Sequence, residues 1–192
     1  MLAFALRDDG FYLRQSIIWH KPNAMPESVT DRCTKSHEYI LLLSKQANYY
    51  FDNKAIKEEA TSGDLGQPRG SLGTNRSNGS RRKRIGVKQE GIYRPGDRTY
   101  IETGFRNKRD VWIVNTKPFN GAHFAVFPEK LILPCILSGC PENGIVLDPF
   151  MGSGTTALVA IKNQRKYIGC ELNPEYIKIA EKRIANERGL FD

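Results

Sequence analysis

The strongest constraint on this chain is nine residues long: Asp148-Pro149-Phe150-Met151-Gly152-Ser153-Gly154-Thr155-Thr156, preceded by the apolar run Gly144-Ile145-Val146-Leu147. The apolar run reads as a short strand that stops at an acidic residue. Two glycines then let the backbone turn tightly and approach a ligand, because no Cβ is in the way. A helix starting near 153–155 aims unpaired N–H groups and a positive dipole end at whatever sits in the turn. Strand, glycine turn and helix together form a nucleotide-type binding unit. Two common versions are excluded. No Lys follows the second glycine, so an ATP or GTP P-loop does not fit, and the third glycine of the dinucleotide fingerprint is missing. The acid at the strand end and the paired threonines suit a cofactor with a cationic amino-acid part and a neutral adenosine.

The downstream residues extend the unit. A helix over 155–163 leads to Lys166-Tyr167-Ile168-Gly169-Cys170-Glu171, a second short strand ending in a carboxylate. In doubly wound folds an acid about twenty residues beyond the first strand accepts hydrogen bonds from a ribose. Asn173 is a good N-cap and Pro174 a good first helical residue, with Ile177, Ala180 and Ile184 following at helical spacing. Residues 144–188 are therefore expected as a β-α-β-α unit with a ligand at the carboxyl ends of its strands.

Together with Glu171-Leu172-Asn173-Pro174-Glu175-Tyr176, the glycine segment resembles the S-adenosyl-L-methionine motif of the DNA amino-methyltransferases, which modify N6 of adenine or N4 of cytosine. The upstream chain resembles their permuted group, in which the target-recognition region precedes the cofactor motif. Trp19-His20-Lys21-Pro22-Asn23-Ala24-Met25-Pro26, Asp31-Arg32, His37-Glu38-Tyr39-Ile40 and Tyr49-Tyr50-Phe51-Asp52 follow in that group's order. Lys117-Pro118 and His123-Phe124-Ala125-Val126-Phe127-Pro128 are similar to its second cofactor-contacting motif. The resemblance implies an α/β, Rossmann-like methyltransferase fold, incomplete here and carrying a basic, loop-rich insertion.

It also implies roles. Asp148 holds the cofactor's amino group or caps the turn. Gly152 and Gly154 admit the cofactor. Thr155 binds its carboxylate or caps the helix, and Glu171 accepts two ribose hydroxyls. Phe150 and Phe127 pack on the adenine or methionine part, or fill the core. Lys117 and His123 join the cofactor set, whereas His20, His37 and Glu38 are read as structural. No cluster has metal-ligand spacing.

One expected motif is missing. The family's catalytic signature is Asp, Asn or Ser followed by Pro-Pro and an aromatic, and no two of the ten prolines here are adjacent. In the permuted order it lies ahead of residue 1. The chain is therefore read as the carboxy-terminal portion of a methyltransferase, with no catalytic residue of its own and inactive alone. The alternatives are a non-catalytic DNA-binding remnant and an RNA or small-molecule methyltransferase. In the family sheet two strands stand between 16–19 and 144–148, so an upstream fragment or second subunit is expected to supply them. Without it, unpaired edges and an apolar face are exposed.

The net charge of +8 is concentrated. Residues 61–109 hold twelve Lys/Arg and four Asp/Glu, and the remainder balances. The densest run is Arg81-Arg82-Lys83-Arg84, in a stretch rich in Gly, Ser and Asn. Such a patch attracts phosphates, so double-stranded DNA is the expected partner, set against a solvated loop with none. Three divisions follow: 1–52 as strands of the catalytic domain, 53–109 as the basic target-recognition insertion, and 110–192 as the cofactor-binding part. The four cysteines are expected as buried reduced thiols, the location as cytoplasmic, and no apolar run is long enough to span a bilayer.

Elsewhere the pattern predicts a helix over 2–7, strands at 16–19, 37–43 and 110–114, and a short strand or extended segment at 49–52. The strand at 37–43, almost wholly apolar after Glu38, should be buried on both faces. A helix over 128–137 should kink or stop early at Pro134.

Overall fold

The computed structural model describes residues 2–60, 104–116 and 127–188. The chain forms two compact units, one built from Met1–Ile56 with Arg109–Asp192 and the other from Lys57–Lys108.

The first unit opens with α1 (Leu2–Asp8), then β1 (Tyr12–His20) and β2 (His37–Ser44). In the second unit β3 (Glu58–Glu59) and β4 (Phe105–Arg106) pair antiparallel, and Arg106 forms a 3.0 Å ion pair with Glu58. The first unit resumes with β5 (Val111–Ile113), α2 (Glu129–Gly139), β6 (Ile145–Asp148), α3 (Thr155–Lys162), β7 (Lys166–Gly169) and α4 (Pro174–Arg188).

Two ladders make up the first unit. One has the order β2-β1-β5, antiparallel between β1 and β2 and parallel between β1 and β5. Trp19 pairs with Trp112 across it, so both indoles face the same side, where they are buried with Ile17 and Leu131. Each ring nitrogen has an acceptor, the carbonyl of Val114 for Trp19 and of Arg109 for Trp112, as a buried indole requires. The β1–β2 register shifts between Leu13 and Gln15, leaving Arg14 as an extra residue. Its guanidinium bonds the Ser44 hydroxyl and the carbonyls of Gln46 and Ala47, and it lies over the Tyr12 and Tyr49 rings. A bulge re-aims one side chain in this way.

The second ladder is the parallel pair β6-β7, in register from Ile145↔Lys166 to Asp148↔Gly169. Val146 and Tyr167 pack on the buried residues of α3. The alternate positions Ile145, Leu147 and Ile168 are each more than half exposed. Helix α2 spans both cores: Leu131 joins the tryptophan cluster, while Ile136 packs with Val159 and Ala160 of α3. Among the described residues no hydrogen-bonded ladder joins β5 to β6.

Three expectations are corrected. Strand β2 is not buried on both faces: Tyr39 is exposed and residues 40–43 are only half-buried, because β2 is the edge of its ladder. Of the two outcomes expected at Pro134, the early stop does not occur: the helix runs five residues further. Burial of Leu131 and Ile136 holds the turn that lacks the prolyl N–H, and Ser138 donates its hydroxyl to the Pro134 carbonyl at 2.7 Å. Of the cysteines only Cys140 is buried; Cys33 and Cys170 are exposed, Cys170 because it follows the last residue of β7. Residues 49–52 form no strand. Among the described residues no helix is long and apolar enough to cross a membrane.

Candidate functional site

The carboxyl ends of β6 and β7 lie side by side, and the chain leaving each stays hydrogen-bonded to the other. Cys170 donates its N–H to the Asp148 carbonyl, and Met151 donates to the Cys170 carbonyl, both at 2.9 Å. Met151 then folds over Gly169, where a Cβ would collide with the methionine methyl. Gly152 and Gly154 adopt φ of +53° and +85°, which L side chains rarely accept. Gly154 N–H closes the turn onto the Met151 carbonyl at 3.0 Å, and α3 begins at the next residue.

Glu171 stands at the centre. Its Oε1 accepts the Asn173 N–H and its Oε2 accepts the Gly152 N–H, each at 2.8 Å. These backbone donors, Asn173 first and Gly152 second, hold the carboxyl below the ordinary glutamate range. A carboxylate has about four lone-pair sites, so acceptor capacity remains for a ligand donor. The Asn173 side chain accepts the Glu175 N–H at 2.9 Å and caps α4. A cavity of about 650 Å³ opens here, walled by Phe150, Met151, Gly152, Cys170, Glu171 and Leu172 and floored by Tyr167, Ile177, Ala180 and Ile184. Phe150 is 85% exposed and Leu172 fully exposed, so both are free to pack on a ligand ring.

Of the residues singled out in the sequence, Phe150, Gly152 and Glu171 line this cavity. Asp148 lies behind the loop, its two oxygens accepting the Phe150 N–H at 2.9 Å and the Thr156 hydroxyl at 2.6 Å. Thr155 is buried under the loop. Phe127 is elsewhere, packed against the tryptophan cluster and lining a second cavity of about 370 Å³ with Trp19, Lys21 and Tyr39. Lys117, His123, Arg81, Arg82, Lys83 and Arg84 lie outside the described residues. Three residues carry a role at the loop that the sequence pattern does not assign them: Met151, Ala180 and Arg183. The last two fall on one face of α4 at i, i+3 spacing, but nothing local says that this face meets the loop.

A glycine loop between an acid on one parallel strand and a carboxylate beyond its neighbour defines a Rossmann-like cofactor domain. Among solved structures the PvuII DNA methyltransferase (cytosine-N4-specific) aligns over 97% of this chain and 59% of its own, with a TM-score of 0.62 at 19% identity. M1.HpyAVI in its complex with SAM aligns over 95% and 66%, with a TM-score of 0.57 at 26% identity. This is the fold of the S-adenosylmethionine-dependent methyltransferases.

The chain belongs to the DNA methylase family, whose profile matches residues 1–182. It is 46% identical over 186 residues to the type II methyltransferase M.Cfr9I of Citrobacter freundii, covering 97% of this chain and 49% of that protein. It is 42% identical over 187 residues to M.SmaI of Serratia marcescens, covering 97% and 51%. The chain thus spans about half the length of these relatives.

Proposed function

We propose that this chain is the cofactor-binding part of a DNA amino-methyltransferase using S-adenosyl-L-methionine. The observation that carries it is Glu171, bonded to the Gly152 N–H at the mouth of a cavity with apolar walls. The donor set suits the cofactor. Glu171 has lone pairs left for two ribose hydroxyls, Gly152 has open space where a Cβ would stand, and Phe150 and Leu172 offer apolar surfaces to an adenine. Asp148 acts from behind the loop, shaping the turn through the Phe150 N–H and the Thr156 hydroxyl. When bound, S-adenosylmethionine supplies an electrophilic methyl group on a sulfonium. The relatives named type II methyltransferases and the SAM complex of M1.HpyAVI support this assignment.

The substrate in this proposal is an exocyclic amine, N6 of adenine or N4 of cytosine, in double-stranded DNA. Such an atom lies inside the stack, so the base must be flipped out. The basic segment with Arg81, Arg82, Lys83 and Arg84 holds the phosphates, while Lys117 and His123 complete the cofactor set and Phe127 fills the core beside the tryptophans. The enzyme works in the cytoplasm. Residues 1–192 contain no Pro-Pro pair to polarise the amine, so the chain alone transfers no methyl group. A further polypeptide adds strands beside β5 and β6 and covers Ile145, Leu147 and Ile168, since parallel strands are normally covered on both faces.

Titration calorimetry with S-adenosylmethionine tests the site. Saturable binding is expected, weakened in Glu171→Ala through lost hydrogen bonds to the ribose. Equal affinity of parent and variant would remove Glu171 from the site.

A further inference from the structure

We propose that Arg183 is a positioning residue: from α4 it holds the glycine loop in the shape that aims Gly152 at Glu171, without itself touching the cofactor. The proposal rests on the reading of this loop as the S-adenosylmethionine site.

Arg183 is thirty residues from the loop in sequence. Its Nη1 donates to the Ser153 carbonyl at 2.6 Å and to the Ser153 hydroxyl at 2.8 Å, and lies 3.4 Å from Thr155 Oγ1. It does not line the cavity. One turn earlier on the same helix, Ala180 packs against Gly154 so closely that a Cβ there would come within 2.9 Å of the alanine Cβ.

The loop needs such a support. Glycine loses more freedom on ordering than any other residue, and Gly152 and Gly154 flank Ser153 with left-handed φ values. The residue between them accepts from Arg183 through both its carbonyl and its hydroxyl. All three contacts come from one nitrogen, Nη1, whose N–H bonds are fixed in the guanidinium plane, so the Ser153 carbonyl and hydroxyl must sit where that plane directs them. Arg183 is partly buried, and charge-assisted hydrogen bonds strengthen out of water. Once Ser153 is fixed, the Gly152 N–H is delivered to Glu171 and one wall of the cavity is set.

The test uses the full 192-residue chain with Arg183→Met, Arg183→Lys and a packing control, Ile136→Ala, in the α2–α3 contact. Amide exchange by NMR reads the loop directly, and calorimetry reads S-adenosylmethionine affinity. Arg183→Met should speed exchange of the Gly152 and Gly154 amides and weaken the cofactor, each about tenfold or more. Arg183→Lys should restore only part, because its ammonium sits on a shorter, flexible stem and its donors are not held in one plane. Ile136→Ala should lower the thermal midpoint yet leave affinity within about twofold, being remote from the loop. Unchanged loop exchange in Arg183→Met overturns the proposal, as does an affinity loss no larger than that of Ile136→Ala. If the parent chain binds no S-adenosylmethionine, the reading of the site falls, and the exchange measurement alone decides whether Arg183 holds the loop.

Discussion

Gly154 answers to two demands at once: a backbone φ of +85° and the Ala180 side chain pressed against its α-carbon. Gly154→Ala should therefore destabilise the chain by about 1–3 kcal/mol, measurable in denaturant unfolding, since the strained backbone conformation alone is of that order. Glu171 gives a pH signature. Its folded-state value lies below the ordinary one, so the two hydrogen bonds stabilise the loop above the usual glutamate range, near ~4.3, and are lost as pH falls through the lowered value. An NMR titration of its carboxyl carbon should show a midpoint below that range, and cofactor affinity should change little between neutral pH and pH ~5. Cys170 is exposed in the cavity wall whereas Cys140 is buried, so iodoacetamide should label Cys170 and spare Cys140, with S-adenosylmethionine slowing the reaction. Much at this scale was legible beforehand. Asp148, Gly152, Gly154, Glu171 and Asn173 act through their own turn or strand end, and local rules describe such places. Arg183 and Ala180 were not legible, because their role exists only once α4 is laid against the loop.

Among elements, α2 carries the most. It joins the tryptophan cluster to α3 through Leu131 and Ile136, so Leu131→Ala should cost about 2–5 kcal/mol, a usual range for a buried leucine. Lys162 of α3 bonds Glu129 of α2 at 3.0 Å and lies 3.4 Å from Glu187 of α4. Partial burial works against its charge, the two carboxylates prevail, and its pKa is raised. That contribution is present below the ordinary lysine range and is lost as pH rises through the raised value. Being partly exposed, it is small: Lys162→Met should cost under about 1 kcal/mol, and less at high salt. Element types followed from pattern, while their limits and burial depended on neighbours. β1 starts earlier than its apolar stretch because β2 gives Tyr12 and Leu13 partners, and β2 stays half-exposed because it is an edge. The helix through Pro134 continues because packing compensates one missing hydrogen bond, a balance that no local rule contains.

At the scale of the whole molecule, the two ladders, the exposed Ile145, Leu147 and Ile168, and the match to about half of each relative belong together. In the proposed function the charge excess of residues 61–109 meets DNA phosphates. Deleting 69–98 should then abolish most duplex binding, and parental binding should fall steeply with salt. A salt-insensitive affinity, or one surviving the deletion, would make that segment a bystander. In that function S-adenosylmethionine sits at the ends of β6 and β7, against the glycine loop and Glu171. The most direct measurement is a nitrogen-15 NMR titration of the chain with the cofactor. Saturable shifts are expected at the amides of Gly152, Glu171 and Leu172, with those of β1 and β2 unmoved. No shift at these amides, or shifts confined to Trp19 and Phe127 beside the second cavity, would contradict it.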